Sequence, residues 1–493
     1  MFYFRVQSEI KNTDKTFIYK SLVDLSVGQL VKIELGPRKL NGWIIGRVEE
    51  AELTELGIAK DKVLDIKKTY EKYVAEDLLK VTDWLSKYLI CSKASLLRFC
   101  EPSKEAVTIE SCEYPHKKIE LCENNFFVSP YLSRLKVIKE LAEKTEHKKH
   151  LFIVPSVNIA EAWSKSIKDK NIIVGTRKTI FSSIANLGSI NVFDSLHELY
   201  YEQKKPYFNL MDVARVRAEV LGIELNAINV FFNSARIDKR FTGSNQDISF
   251  YKIEKDSNKD LSSKALKTIG EEVFFLLNRP LEDSNFICNR CKKVNLTNTK
   301  CEICGSTNFY SIGLGHSNFA KSIAKLLPKI NFSVGSFSDY MSSKQKFDTV
   351  VFLDSDRYVF SSINNYLSQG MAEITAVIRK QASLRDKTKI IFESNTPRDE
   401  KFYNAILGSR WDYWNQLLEV ETENLGLYPK AINVLIGGTP NLDLELGSFL
   451  FGEFEGNLLL QFPNDVEFLL NQVPKLKTIL NDADFIKINS RSF

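Results

Sequence analysis

From residue 126 onward, short apolar runs alternate with stretches of helical periodicity. FFVSP is followed by a helical stretch over 133–144, LFIVP (151–155) by one over 158–168, and then come NIIVGT (171–176), SINVF (189–193), a helix over 211–221 and AINVFF (227–232). Apolar runs this short, separated by helices, read as strands buried on both faces, and their alternation predicts a parallel sheet covered by helices. A second series repeats the rhythm: EVFFLL (272–277), a helix over 317–327, TVVFLD (349–354), a helix near 371–384 and KIIFES (389–394). The chain thus predicts two α/β lobes of similar size. Its 493 residues leave room for more, since a domain usually takes ~100–200 residues.

The flanks read differently. VKIEL (31–35) and GWIIGRVE (42–49) alternate as half-buried strands do, and GPRKLN between them makes a β-hairpin with a basic tip. Residues 75–99 carry a helical apolar face that includes Leu78, Val81, Trp84, Leu85 and Tyr88. The expected organisation is a β-rich domain over 1–104, a linker over 105–125, lobes over 126–240 and 241–427, and an α+β C-terminal domain over 428–493. That last domain has strands at INVLIG and NLLLQF and a helix near 465–480.

Charge excludes little. The net +5 is small for the length, and lysines and acids are mixed almost everywhere. No apolar run reaches the ~18 residues of a membrane-spanning helix. The opening MFYFRVQSEIKNTDK lacks a basic-then-apolar leader, so a cytoplasmic protein without membrane contact is expected. Eight cysteines do not make a disulfide scaffold here. Cys91, Cys100, Cys112 and Cys122 are scattered and read as small buried apolar residues.

The other four cysteines interrupt the second lobe, in an insert over 284–310. In CNRCKKVNLTNTKCEIC, the pairs Cys288/Cys291 and Cys301/Cys304 face each other across nine residues. Four soft thiolates suit tetrahedral zinc, and such a site has no open coordination position, so one structural zinc is expected. A redox pair would need one Cys-x-x-Cys at a helix N-terminus, and two facing pairs argue against it. Gly305 suits a tight knuckle turn. His197 and His316 stand alone and read as structural.

The order of segments resembles the primosomal protein N′ family of replication-restart helicases (PriA). The segments that carry the likeness are LVKIELGPRKLNGWIIGRV, WLSKYLICSKASLLRFCEP, IIVGTRKTIFSSIANLGSINV and YFNLMDVARVRAEVLGI. They continue with EEVFFLLNRP, the cysteine insert with CEICGSTNFYSIGLGHS, FDTVVFLDSDRYVF and ENLGLYPKAINVLI. The resemblance implies two RecA-like lobes of a superfamily 2 helicase core. It also implies an N-terminal domain that holds a DNA 3′ end, with single-strand-binding protein and helicase-loading proteins as partners.

The departures fall on the nucleotide-handling elements. A phosphate-binding loop needs glycines and a lysine, but the matching FVSPYLSRLKVIKELAEK contains no glycine, and Arg134 and Leu135 stand at the Lys-Thr positions. Pro130, Tyr131 and Leu132 occupy the loop itself. Where the family carries its acid pair, VFDSLH (192–197) retains only Asp194, with Phe193, Ser195 and Leu196 at the other positions. The arginine motif falls on RKQAS (379–383), with Lys380 and Ser383 at its arginine positions, and the SAT motif reads SAR (234–236). The expectation is a degenerate ATPase fold that neither binds nor hydrolyses ATP, with Arg134 and Asp194 marking the altered site. The family's winged-helix segment is reduced to the linker, and its two zincs to one.

The resemblance also places a DNA 3′-end pocket in the first domain. Phe17 in TFIY supplies a ring for a terminal base, Gly36 a close backbone approach, and Lys62 a phosphate contact, while the family's acid is replaced by Ile18. Arg38 and Lys39 lie at the hairpin tip, and Thr176 and Arg177 at a strand end near the family's DNA path. The implied protein binds branched or 3′-ended DNA without ATP hydrolysis. Its rivals are a working 3′–5′ helicase with an unusual pocket and a zinc-containing interaction scaffold of the primosome.

Overall fold

A computed structural model describes residues 1–10, 15–108, 123–129, 134–143, 147–195, 197–202, 204–229, 239–241, 248–254, 256, 260–277, 286–288, 290, 294–295, 300–301, 303–307, 309–311, 316–353, 355, 366–382, 387–394, 431–437, 450–454, 457–463 and 485–489. Pro130, Tyr131, Leu132, Leu196, Ser234, Arg236, Cys112, Cys122, Cys291, Ser383 and the helix expected near 465–480 lie outside them.

The first domain is a closed sheet. Strands Phe2–Ser8, Thr16–Ser21, Gln29–Leu35 and Arg38–Val48 pair antiparallel through adjacent neighbours. The short strand Leu64–Asp65 adds to Thr16–Ser21 on one edge, and Lys68–Tyr73 adds to Gln29–Leu35 on the other. Two residues join those edges: the Ile66 amide donates to Lys20 O and the Lys67 amide to Lys32 O, both at 2.9 Å. The two ends of the sheet therefore meet where the chain crosses between them at Ile66 and Lys67. Phe4, Val6, Tyr19, Val31, Ile33 and Ile44 fill the interior. The expected hairpin is present, but its turn is tighter than GPRKLN. Leu35 pairs with Arg38, so only Gly36 and Pro37 are outside the ladder. Gly36 has φ +58°, as the first position of a primed hairpin turn requires.

The helical stretch over 75–99 resolves into Glu76–Tyr88 and Lys93–Leu97, separated by Ile90 at φ +51°. Glu76–Tyr88 packs on Leu210–Leu221, a helix capped by Asn209. At their contact, Arg217 is completely buried. It donates to Asp77 Oδ2 at 2.7 Å, to Ser182 O at 3.0 Å and to Ile180 O. Around it, Phe99, Phe181 and Phe208 pack with ring centroids 5.3–5.7 Å apart, and Glu101 and Ser183 exchange backbone bonds with their neighbours. The first domain and the following lobe share this buried contact.

In that lobe five parallel strands stand in the order Glu123–Val128, Glu224–Asn229, Leu187–Phe193, Lys149–Ile153, Ile172–Gly175. Chain order reverses between Leu187–Phe193 and Lys149–Ile153, and ligands of open α/β sheets bind outside the carboxyl ends at such a switch point. This compact unit also contains an antiparallel sheet in the order Leu450–Phe454, Asn457–Pro463, Ala431–Gly437, Phe485–Asn489. The second compact unit holds a parallel sheet in the order Ile248–Glu254, Thr388–Ser394, Thr349–Phe352, Glu272–Leu276, Asn331–Gly335. Its core gathers Val273, Phe275, Phe319, Ile323, Val351 and Ile391. A small antiparallel sheet, Val294–Asn295, Phe286–Cys288 and Phe309–Ser311, carries the cysteine insert. No helix among the described residues is long and apolar enough to cross a membrane.

Removing one member of a buried ion pair strands the other, at about 3–5 kcal/mol. Asp77→Ala and Arg217→Met should each lower stability by about that amount in urea unfolding. The double substitution Asp77→Leu/Arg217→Met should recover part of the loss.

Candidate nucleic-acid interface and metal centre

The barrel brings two of the expected DNA contacts, Phe17 and Gly36, toward one rim. Phe17 and Tyr19 share a face of their strand, and the Tyr19 hydroxyl donates to Glu34 O at 2.7 Å, two residues before Gly36. Lys62 ends the short turn Lys60–Lys62 that leads into Leu64–Asp65, the strand paired with Tyr19 and Lys20. Gly36, Arg38, Lys39 and Lys62 are exposed, and a Cβ at Gly36 would meet nothing within 4 Å. Phe17 is half-buried and packs against the barrel core, with part of its ring at the rim. Ile18 faces the opposite side and packs against Tyr3 and Val63.

Thr176 and Arg177 sit elsewhere, at the carboxyl end of Ile172–Gly175. Thr176 caps the short turn Arg177–Phe181. The Arg177 guanidinium turns inward, donating to Leu199 O at 3.0 Å, to Glu202 Oε2 at 2.9 Å and to Tyr201 O. It clamps the loop that follows Leu187–Phe193.

At the switch point lie the two residues expected at the altered nucleotide site. Arg134 opens the helix Arg134–Ala142, and Asp194 ends the strand Leu187–Phe193 in a left-handed conformation, φ +52°. They form an ion pair, with side chains only 9% and 11% exposed. The guanidinium carbon lies 5.5 Å from the Trp163 ring centroid and 5.4 Å from that of Phe193. The surroundings are pinned. Tyr200 OH donates to Phe193 O at 2.6 Å, Ser195 N to Asn229 Oδ1 at 2.7 Å, and Asp194 N to Ile228 O at 2.9 Å. Burial pushes the Asp194 carboxyl up from its usual range, and the Arg134 charge and hydrogen bond pull it back. Burial, then the Arg134 charge, lowers the imidazole of His197 to about 4. Sequence reading noted Phe193 only as a lost acid and missed Trp163. The available signal was an aromatic residue standing where an acid belongs.

The insert gathers its cysteines. The sulfurs of Cys288, Cys301 and Cys304 all lie within 4.8 Å of one another, with Cys288 and Cys304 at 3.5 Å. Metal–sulfur bonds of about 2.3 Å in a tetrahedron set sulfurs about 3.8 Å apart, whereas a disulfide needs about 2.05 Å. The thiols are spaced to hold a metal ion. Gly305 at φ +68° closes the knuckle, its amide donating to Cys301 O at 2.9 Å. The lone histidines are structural: His316 Nε2 contacts Leu277 O at 2.8 Å, and His197 Nδ1 accepts from Leu199 N at 3.1 Å.

Residues 5–102 match the family model of the PriA 3′DNA-binding domain. The match supports a relationship to the primosomal protein N′ family. The matched span covers the closed barrel and the two helices that follow it. The curated proteins contain no match to the sequence. The domain suggests DNA binding in replication restart, with DNA as a partner.

His197 makes a testable contribution to acid sensitivity. Its unfolded form takes up a proton near pH 6.5 and its folded form only near 4, so the unfolded state binds more protons in between. Its share of stability is complete above pH 6.5 and is lost on acidification, with a limiting slope of about 1.4 kcal/mol per pH unit. Urea unfolding between pH 7 and 4.5 should show this slope in the wild type and a shallower one in His197→Asn.

Proposed function

We propose that the chain is a primosomal-N′-type DNA-binding protein that recognises branched or 3′-ended DNA during replication restart and does so without hydrolysing ATP. The observation that carries this reading is the family match over the barrel, and the exposed Gly36 and Lys62 with the half-buried Phe17 are compatible with it. In this reading Phe17 offers its ring edge to the terminal base, Gly36 admits backbone, and Lys62, Arg38 and Lys39 meet phosphates. Thr176 and Arg177 belong to the same proposed path. Arg177 is the weakest member, because its guanidinium is committed to Leu199, Tyr201 and Glu202.

The two parallel sheets are read as RecA-like lobes, the degenerate remains of a superfamily 2 helicase core. Phosphoryl transfer needs a site where oriented donors and a metal ion meet the triphosphate. At the corresponding edge of the first lobe, Arg134 and Asp194 neutralise each other between Trp163 and Phe193. An ATP molecule would have to break that pair without a glycine loop to receive it. The insert is read as one structural zinc site with Cys291 as fourth ligand beside Cys288, Cys301 and Cys304. Zinc there would supply folding free energy and no open coordination position. Single-strand-binding protein and helicase-loading proteins are the proposed partners, and the cytoplasm the proposed compartment.

A fork-binding titration across salt, with 3′-hydroxyl and 3′-phosphate ends and with or without ATP, tests the reading. Binding should weaken as salt rises, ignore ATP and proceed without ATP turnover. Phe17→Ala should weaken it by about 1–3 kcal/mol if the ring stacks a base. Fork-stimulated ATP hydrolysis would instead establish a helicase, and absence of DNA binding a scaffold. Metal analysis should find one zinc per chain, lost in Cys301→Ser together with the protease resistance of the insert.

A further inference from the structure

The outer face of the barrel carries a charge arrangement that the rim does not use. Side chains alternate along Gln29–Leu35, with Val31 and Ile33 fully buried in the interior, so Lys32 and Glu34 point outward. Across the ladder, Lys32 lies directly opposite Lys68, and Glu34 directly opposite Lys39. Lys67 adjoins the pair, its amide bonded to Lys32 O. Glu34 faces Lys39 and also takes Lys67 at 3.3 Å. The Glu34 carboxylate is thus engaged by Lys67, and neither Lys32 nor Lys68 has an ion pair among the described residues. The Lys68 ammonium rests 5.0 Å from the Tyr70 ring centroid, which holds it over the sheet.

Like charges directly opposite on a ladder repel and destabilise the strand pair. Here the repelling pair sits on the last strand to join the barrel, next to the two amides that close it. An external anion between the two ammonium groups would relieve that repulsion. Resting on the DNA-binding reading above, we propose that Lys32 and Lys68, flanked by Lys39 and Lys67, clamp the sugar–phosphate backbone of the DNA whose end the rim receives. The clamp is indifferent to sequence and to the chemistry of the 3′ end. It acts through charge, so it adds to the salt dependence of binding and leaves end discrimination to the rim.

Two variants of the full chain separate this role from a structural one. Lys32→Ala/Lys68→Ala removes two phosphate contacts. The slope of log K against log salt for fork binding should become shallower by about 1.8, at ~0.9 per contact on duplex DNA. The ratio of affinities for 3′-hydroxyl and 3′-phosphate ends should not change. Lys32→Glu converts the repelling pair into an attractive one, so its thermal midpoint should not fall while fork binding weakens. Stability and binding then move independently, which a merely structural lysine would not allow. An unchanged slope in a double variant that still binds forks would overturn the clamp. A loss confined to anionic phospholipid vesicles, with fork binding intact, would overturn it as well. Absence of salt-dependent binding by the wild type would overturn the DNA-binding reading itself.

Discussion

Taking a guanidinium out of water is unfavourable by several kcal/mol unless its donors find acceptors, so a buried arginine dictates what is placed around it. Arg217 meets the demand completely, with a carboxylate and two carbonyls within reach of its nitrogens. Those acceptors come from Asp77 in the first domain and from the turn at Ile180–Ser182 in the lobe. One side chain therefore fixes the DNA-binding-type domain against the parallel sheet. Arg134 meets the demand less well. It has one carboxylate and two aromatic faces, and its Nε is buried with no hydrogen-bond partner among the described residues. The Arg217 contact joins two parts of the protein, while the Arg134 pair lies at the carboxyl edge of one sheet.

The rim and the clamp follow from a second constraint, the closure of the barrel. Each edge of a sheet presents unpaired amides and carbonyls. Here the chain crosses from one edge to the other at Ile66 and Lys67, whose amides bond to Lys20 O and Lys32 O. The strand that follows the crossing sets Lys68 opposite Lys32.

Legibility in the sequence tracked burial. Strands buried on both faces, such as Thr349–Phe352 and Leu187–Phe193, were plain as apolar runs. The two edges of the second parallel sheet, Ile248–Glu254 and Asn331–Gly335, escaped notice because most of their side chains are exposed or only half-buried and their sequences, ISFYKIE and NFSVG, are mixed. The hairpin of the first domain was visible, but the closure was not, since two backbone amides make it and side chains leave no trace of that. Around Arg134 and Asp194, the lack of glycines and of a second acid was legible, because it is read from residue type alone. That Arg134 would pair with Asp194 was not, because the partners are sixty positions apart and only the sheet order brings them together.

What keeps the first lobe in register without a nucleotide is a line of polar side chains beneath the helices. Asn124 donates to Asn226, Asn226 to Asn191, and Asn191 to Ser189, whose hydroxyl contacts His150 Nδ1, each link 2.7–2.9 Å. The line crosses four strands, and Ser189, Asn191, Asn226 and His150 are buried. Apolar side chains tolerate a slip along a strand, whereas a half-satisfied amide in a low-dielectric interior does not. A slip of either central strand would break two links and a slip of either outer strand one, so the network selects one register whether or not any ligand sits at the carboxyl edge. A lobe held this way, and stapled through Arg217, has no need of triphosphate to stay folded. That independence is what the proposed reading requires of a lobe in which Arg134 and Asp194 pair with each other.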